Sequence, residues 1–481
     1  MEQWAKDWLE SERAKGIKCL EIKTKGSGHY VYHSTTHWDK VLKKRVKTSK
    51  YLGTLKPGVG LIRPQSIAAS ISKHQAPTIR SVTEYGNSML LRETTKELRP
   101  LLEDAFPDNW KEIYALSLLR VTGNVPLKRA KDSWEKLYNP DGIEADLTPV
   151  SVSKTLREVG IDRLGQDTVF RSLLGHSKQL VYDLTAIFSR SMSILQAEKG
   201  YNKDRLNLPQ INLALLCSAD TGMPTMIRSI PGSVKDIKSL YNTIREIDIN
   251  GKVLILDRGF FSEDIIQELI KAKIDYVLPT RRNSTYYDTR IHLNKHFVYH
   301  KRLIRCGKRK INDRFLYLYL DKDLELDETK TLYKKLDEGI IDKAELEERS
   351  ETAGRILIVS SLDIPEIELF GLFKKRERVE KMFDAYKNVL DADRLYLQDD
   401  ESVFGHVFVS FLSLYAHCKI ENMLKKAVLS HKLSPTDLLL QYSKVYNVCL
   451  GATSVLSEVP KKVRDLDAAI GLNVFPTNPK S

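Results

Sequence analysis

Cysteine is scarce in this chain, and long apolar runs are absent from it. The five cysteines are odd in number, scattered and without CxxC spacing, which argues against a disulfide framework or a cysteine zinc site. The most apolar run, VFVSFLSLYA at 407–416, is shorter than the roughly 18 residues of a membrane span. The first 15 residues lack the apolar core of a secretion signal. We therefore expect a cytoplasmic protein with reduced thiols and no membrane partner.

Acidic residues are too few to balance the basic ones. The chain has 481 residues, with 76 Lys and Arg against 63 Asp and Glu, which gives a net charge of +13. Such a surplus favours a polyanionic partner, and without a membrane segment we expect that partner to be nucleic acid. Apolar residues make up 42% of the chain, which is enough for a buried core. At about 150 residues per domain, the length suggests roughly three domains.

The pattern of strand and helix signals changes along the chain. It begins with a β-hairpin signal around KGSG at 25–28, followed by polar helical segments. From about residue 176 strands and then alternating strands and helices follow, which predicts a mixed α/β sheet. A basic hairpin and a charged helical stretch interrupt this alternation before the strand RILIVSS resumes it. The predicted division is an N-terminal region at 1–165, an α/β core at 166–288 and 353–428, a β-rich insertion at 289–352, and a helical C-terminal region at 429–481.

Two aspartates lie on predicted strands of the α/β core. Asp183 is inside LVYDLTAI, where its neighbours favour a strand and an aspartate is unfavourable without solvent, a partner or a cation. Asp257 ends the buried-type strand of KVLILDRGF, and functional sites collect at such strand ends. Taken singly, either residue is as well explained by an edge strand or a turn. Taken together, they suggest a carboxylate site.

A charged segment, LFKKRERVEKMFDAYKN at 372–388, predicts an amphipathic helix. On an α-helix, Phe373, Arg376, Glu380 and Lys387 fall within about 60° of one another, directly beside an apolar face. Taken alone, this stripe is explained by a solvated surface with an Arg376–Glu380 ion pair, which contributes a few tenths of a kcal/mol. The two upstream aspartates favour a third carboxylate of the same site, Glu380.

Three carboxylates in one place repel each other unless cations lie between them. Oxygen ligands without His or Cys favour Mg²⁺ or Mn²⁺. A pair of such ions about 3.5–4 Å apart suits in-line displacement at a phosphodiester. Arg376 and Lys387 would then hold phosphates beside the metals, and Phe373 would stack on a base or sugar.

Three segments of the chain resemble a known family, the cut-and-paste insertion-sequence transposases that have an RNase H-like catalytic domain and an acidic DDE triad. Their glutamate segment has the signature Y-x2-R-x3-E-x6-K. Arg376, Glu380 and Lys387 match it at every spacing, with Phe373 in place of the tyrosine. VYDLTAI, followed by GYNKDRLNLPQINLAL, resembles the segment of the first aspartate, and LILDRGFFS resembles that of the second. The resemblance covers residues 170–425.

The resemblance implies an RNase H-like mixed sheet, interrupted by the insertion, with Asp183, Asp257 and Glu380 as its catalytic and metal-binding triad. It also implies a homodimeric recombinase that binds double-stranded DNA, cleaves at the terminal inverted repeats of a transposon with Mg²⁺, and joins the freed 3′ ends to target DNA. Residues 1–165 would bind DNA. Phe373 would keep the stacking of the family's tyrosine but lacks its phenolic hydrogen bond.

A basic segment at 280–314 is a further candidate for DNA contact. It has 11 Lys and Arg against two Asp, with four aromatics interleaved, a composition that suits distorted or single-stranded DNA. A solvated hairpin with core aromatics is the alternative. Two other functions stay open: a structure-selective nuclease without strand transfer, and a transposase-derived DNA-binding protein without catalysis.

Overall fold

The computed structural model divides the chain into two compact units. They are Met1–Ser81 with Cys449–Ser454, and Val82–Val448 with Val455–Ser481. The predicted boundary at 165 stays a prediction about function, since the packing boundary lies elsewhere. The structure describes residues 1–39, 43–64, 78–123, 125–175, 177–189, 191–200, 208–234, 240, 246–247, 249–284, 286–288, 290–393 and 395–476.

The smaller unit is a helix on an antiparallel sheet. Helix α1 (Gln3–Ala14) precedes four strands in the order β1–β2–β3–β4. The strands are β1 (Leu20–Lys25), β2 (Gly28–Asp39), β3 (Lys44–Lys56) and β4 (Gly60–Ile62). Ala5 and Leu9 of the helix form a core with Leu20, Val31 and Leu55 of the sheet. Since strand side chains alternate between faces, this core uses one face of the sheet.

The larger unit begins with helices that surround one long helix. They are α2 (Tyr85–Thr94), α3 (Leu98–Ala105), α4 (Trp110–Thr122), α5 (Ala130–Trp134), α6 (Pro149–Ile161) and α7 (Arg163–Leu174). The long helix is α13 (Asp400–Lys426). It crosses α6 closely at two glycines: a Cβ on Gly160 would meet the Glu401 carbonyl oxygen at 1.8 Å, and one on Gly405 would meet that of Leu156 at 1.9 Å. Any larger residue at either position would push the two helices apart.

Helix α13 is long and apolar enough to cross a membrane, the one such helix among the described residues. Yet 89% of its most apolar window is buried inside the protein. Its apolar side chains pack against α4, α6 and the sheet strand β9 (Pro224–Pro231). This is the environment of a core helix, and it explains the apolar run at 407–416.

A ten-stranded mixed sheet forms the centre of the larger unit, in agreement with the predicted mixed α/β class. Its order is β12–β13–β14–β15–β11–β10–β6–β8–β7, with β9 paired to β8. Strand β10 pairs parallel with both β6 and β11, and helix α8 (Glu263–Lys271) lies between β10 and β11 in the chain. The remaining strands are β6 (Gln179–Phe188), β7 (Glu198–Lys199), β8 (Pro209–Ser218), β10 (Val253–Ile255), β11 (Asp275–Pro279), β12 (Lys295–Tyr299), β13 (Arg302–Ile311), β14 (Arg314–Asp321) and β15 (Arg355–Ser360).

The predicted insertion at 289–352 continues this sheet. Its strands β12–β14 extend the sheet beyond β15, because β14 pairs antiparallel with β15 along six residues. The second half of the segment is helical, as α9 (Lys322–Asp337) and α10 (Lys343–Glu351). The segment therefore adds strands to the central sheet and two helices beside it.

The C-terminal region differs from the expected helical one. It contains α14 (Pro435–Tyr442) and α15 (Lys461–Ile470), but also β16 (Tyr446–Leu450) and β17 (Thr453–Leu456), which join β5 (Ile79–Glu84) in a three-stranded sheet. The purely helical expectation for 429–481 is corrected accordingly. The β-branched residues on either side of Gly451, whose φ is 63°, favour a turn between two strands there.

Candidate active site

Asp183 lies on β6, and Asp257 follows the end of the neighbouring parallel strand β10. The last residue pair in the register of β6 and β10 is Val181 with Ile255. Asp183 follows Val181 by two residues, and Asp257 follows Ile255 by two residues. Asp257 keeps an extended backbone, with φ −82° and ψ 159°. Since residues two apart in an extended chain share a face, Asp183 on β6 and Asp257 on the extended segment that continues β10 are directed to one side of the sheet.

The two aspartates differ in exposure. Asp183 is 5% exposed, and its Oδ1 accepts the backbone N–H of Leu184 at 2.8 Å. Asp257 is half-buried and begins a short 3-10 turn, Arg258–Phe260. The turn is held against β6 because the Phe260 ring packs edge-on against Tyr182, with centroids 5.4 Å apart. The residues next to both acids are therefore packed against each other.

The glutamate segment is not the single α-helix that the sequence predicts. It consists of α11 (Glu366–Lys374), α12 (Glu377–Asp384) and a π-turn at Ala385–Val389. At the joint, Arg376 donates its backbone N–H to the Phe373 carbonyl, three residues back. Helix α11 packs against β11 and β13, whereas α12 packs against β6 and β8. Lys375 and Arg376 keep helical dihedrals, but the hydrogen bonds at the joint span three residues instead of four, so a uniform 100° step does not describe the segment.

Arg376 connects the second aspartate to the glutamate. Its Nη1 lies 2.7 Å from Asp257 Oδ1 and 3.4 Å from Glu380 Oε1. The guanidinium also lies over the Phe373 ring, 5.7 Å from the centroid. Glu380 occupies the first turn of α12, where a negative charge is favourable. Two of the three predicted acids thus converge on one cationic nitrogen.

Lysines at both ends of α12 attach it to β6. Lys375 Nζ donates to Gln179 Oε1 at 2.7 Å, and Lys387 Nζ donates to the Ala186 carbonyl at 2.6 Å. Asp183 lies between these two attachment points on the same strand. Buried Val379, Met382 and Phe383 pack the helix down onto the sheet. This arrangement packs the helix that carries Glu380 onto the strand that carries Asp183.

The predicted DNA-contacting residues have partners within the protein. Phe373 is 8% exposed and packs near Phe370, with ring centroids 6.4 Å apart. Lys387 binds the backbone of β6. Sequence reasoning missed Lys375 and Arg378, the latter donating to the Ala219 carbonyl at 2.9 Å. Their only sequence signal was excess basic charge on a helix, which does not predict partners as distant in sequence as the Gln179 side chain and the Ala219 carbonyl.

The donor chemistry at this site fits a hard divalent cation, but three carboxylates are not gathered closely. Among the described residues, no three His, Cys, Asp or Glu side chains stand close enough to share a metal ion. Asp257 and Glu380 already surround a positive charge, that of Arg376, whose buried Nε has no hydrogen-bond partner in the described part of the chain. Nearby Cys217 is buried on β8 beside Val181, and burial raises the pKa of its thiol to about 12. The thiol therefore stays protonated at neutral pH in the absence of a metal ion.

Comparison with known proteins identifies the family of the chain. Residues 166–415, just over half of the chain, match the family profile described as the transposase DDE domain. No curated protein matches the chain. A cryo-EM structure of the piggyBac transposase synaptic complex with hairpin DNA shares 12% identity at a TM-score of 0.38, over 82% of this chain and 87% of that one, a likeness too low to carry an argument. The family match spans both aspartates, the glutamate and the insertion, and the chain belongs to the transposase family that has this DDE domain.

Proposed function

We propose that this protein is an active DNA transposase. It would bind the terminal inverted repeats of its element, cleave phosphodiester bonds at the ends, and join the 3′ ends to target DNA. The observation that carries the proposal is the convergence of Asp257 and Glu380 on Arg376, beside the strand that holds Asp183. The proposal includes an RNase H-like core and the Y-x2-R-x3-E-x6-K signature, with Phe373 at its first position.

Each site residue has a role in this proposal. Asp183, Asp257 and Glu380 would hold two Mg²⁺ ions, with Mn²⁺ as a substitute, because carboxylate oxygens are the ligands these ions prefer. Bound there, the ions would activate water or a 3′ hydroxyl and stabilise the leaving oxygen. Arg376 and Lys387 would bind phosphate oxygens of the DNA strand. Phe373 supports the guanidinium of Arg376, and its proposed contact with DNA requires the ring to leave its buried position.

Glu380→Gln tests the catalytic role. With the full-length protein and a plasmid that carries the DNA flanking its reading frame, we expect end cleavage in Mg²⁺ to fall at least ~100-fold, because a neutral amide is a poor metal ligand. Duplex binding should stay within about threefold, because an acid is removed and no cation is lost. The matched control is Glu377→Gln, an exposed carboxylate of the same helical turn that pairs with Lys374. Normal cleavage by Glu380→Gln would remove this residue from the site.

The same reaction separates the alternative functions. Joining of labelled 3′ ends to a second plasmid is expected of a transposase and excludes a plain nuclease. Binding without any Mg²⁺-dependent nicking would leave a DNA-binding protein without catalysis. The proposed homodimer predicts two protein chains in the complex with paired ends, which light scattering of that complex measures.

A further inference from the structure

The small sheet of residues 20–62 has one covered face and one open face. Leu20, Val31 and Leu55 point towards α1 and are buried. The alternate positions on β1, β2 and β3 form what we call the open face: Glu21, Lys23, Lys25, Tyr30, Tyr32, Ser34, Thr36, Trp38, Arg45, Lys47, Ser49, Tyr51 and Thr54. The cross-strand pairs Glu21–Tyr32, Tyr32–Tyr51 and Trp38–Arg45 fix this register.

Aromatic rings occupy the middle of the open face. Tyr51 contacts Tyr32 and Tyr30, with ring centroids 5.3 and 6.2 Å apart. Lys23 Nζ lies 4.7 Å from the centroid of Tyr32. The three tyrosines are only half-buried, so part of each side chain remains accessible beside a cation. Such a combination suits sugar-phosphate contacts.

Beyond this aromatic centre, β2 and β3 continue as a two-stranded ribbon. The pairing with β1 ends at His33, whereas β2 and β3 stay paired from Ser34–Ser49 to Asp39–Lys44. Six residues per strand make a ribbon about 20 Å long. Trp38, near its tip, is 60% exposed, and Arg45 faces it across the ribbon. The major groove of B-DNA, about 12 Å wide, admits a ribbon of this kind.

The charge of this region is available to a partner. Residues 18–56 have ten Lys and Arg against two acidic residues. In the described part of the segment, the ion pair found is Lys47 with Glu21, at 2.7 Å. The other described cations, including Lys25, Lys44, Arg45 and Lys50, are exposed, and none is ion-paired with a carboxylate whose side chain the structure describes. Unpaired exposed cations are the groups that release counterions when they meet phosphates.

We propose that the open face and its ribbon bind double-stranded DNA, with the ribbon in the major groove. The choice of DNA as the partner rests on the proposed function. What is added here is the surface that binds it, one face of one sheet. The tyrosines and Lys23 would contact the backbone, while Trp38 and Arg45 would reach base edges. The face that carries Lys44 and Lys50 points away from the duplex.

Two double variants with equal charge loss test the face directly. Lys25→Ala with Arg45→Ala removes two cations of the open face, and Lys44→Ala with Lys50→Ala removes two from the opposite side of the same sheet. Full-length proteins are titrated with a fluorescein-labelled 30-base-pair duplex from the DNA flanking the reading frame, in EDTA, at several salt concentrations. We expect the open-face pair to lose about tenfold in affinity and about two units of salt slope. The opposite pair should lose less than about threefold.

Equal losses in both pairs, or no loss in either, would overturn the proposal. Stronger binding of the corresponding single strand would also overturn it. Arg45→Glu alone is a second measure, expected to weaken binding more than Lys50→Glu. Because the titration uses no metal, it is independent of catalysis: if Glu380→Gln abolishes cleavage while the open-face pair binds normally, the proposed function stands and this inference fails. The opposite combination would refute the function and keep the DNA-binding face.

Discussion

The two most basic segments of the chain use their charge in different ways. Residues 280–314 have 11 cations against two acids, and residues 18–56 have ten against two. In the first segment seven cations are ion-paired, namely Arg282, Arg290, Lys295, Arg302, Lys308, Arg309 and Arg314. In the second segment the described ion pair is that of Lys47. Two segments of similar composition therefore differ in their available charge. Acidic residues of the protein neutralise most cations of residues 280–314, whereas residues 18–56 present an exposed cationic surface.

The difference lies in partners that are distant in sequence. Lys295 pairs with Glu366, and Arg314 with Glu263, so a count within the segment misses the neutralising acids. The sequence favoured DNA contact for 280–314, but the pairing leaves few of its cations available. The N-terminal sheet, which sequence motifs did not single out, has the charge that a phosphate backbone requires.

The largest expected effect is on stability, at Arg314. Its side chain is 13% exposed, its Nη2 lies 2.6 Å from Glu263 Oε1, and its Nη1 donates to the Tyr286 hydroxyl at 3.0 Å. We expect Arg314→Ala to lower the free energy of unfolding by about 2 kcal/mol, because Glu263 loses its partner and packing is lost. Urea unfolding of the full-length protein measures this. A loss below about 0.5 kcal/mol would show that the pairing in this segment is incidental.

An intermediate effect is expected from pH. The hydrogen bond from Arg314 lowers the pKa of Glu263 from 4.5 to about 2. A lowered pKa means that the stabilisation is fully present above pH 4.5 and is lost as the pH falls towards 2. Because the Glu263 side chain is 44% exposed, solvent screening limits this contribution to about 1 kcal/mol. Glu263→Gln should therefore lose less stability than the wild type between pH 4.5 and pH 2.5, as measured by urea midpoints; parallel pH profiles would contradict this.

The smallest effect is expected on the N-terminal sheet. Lys25→Ala with Arg45→Ala should leave the free energy of unfolding within about 0.5 kcal/mol of the wild type, since both side chains are exposed and have no carboxylate partner in the described structure. The same urea series measures it. A clear destabilisation would mean that these cations stabilise the fold, and the contrast between the two segments would disappear.

Local sequence located much of the site but not its assembly. Apolar runs predict strands around Asp183 and before Asp257, and the structure has β6 and β10 there. The break at Arg376 was not predictable from periodicity, because it depends on which strands α11 and α12 pack against. Two contacts of the site join residues more than 100 positions apart in sequence. They are the contact of Arg376 with Asp257 and that of Lys375 with Gln179. These contacts exist only after the sheet has formed.

The π-turn at Ala385–Val389 affects how relatives can be recognised. A π-turn contains more residues per turn than an α-helix. The six residues between Glu380 and Lys387 therefore do not determine the angle between these two side chains about the helix axis. A homologue that is one residue shorter in this interval can hold its lysine over the same strand by continuing as a regular α-helix. Pattern searches with a rigid interval would pass over such a homologue, and a correct alignment would open a gap opposite the π-turn.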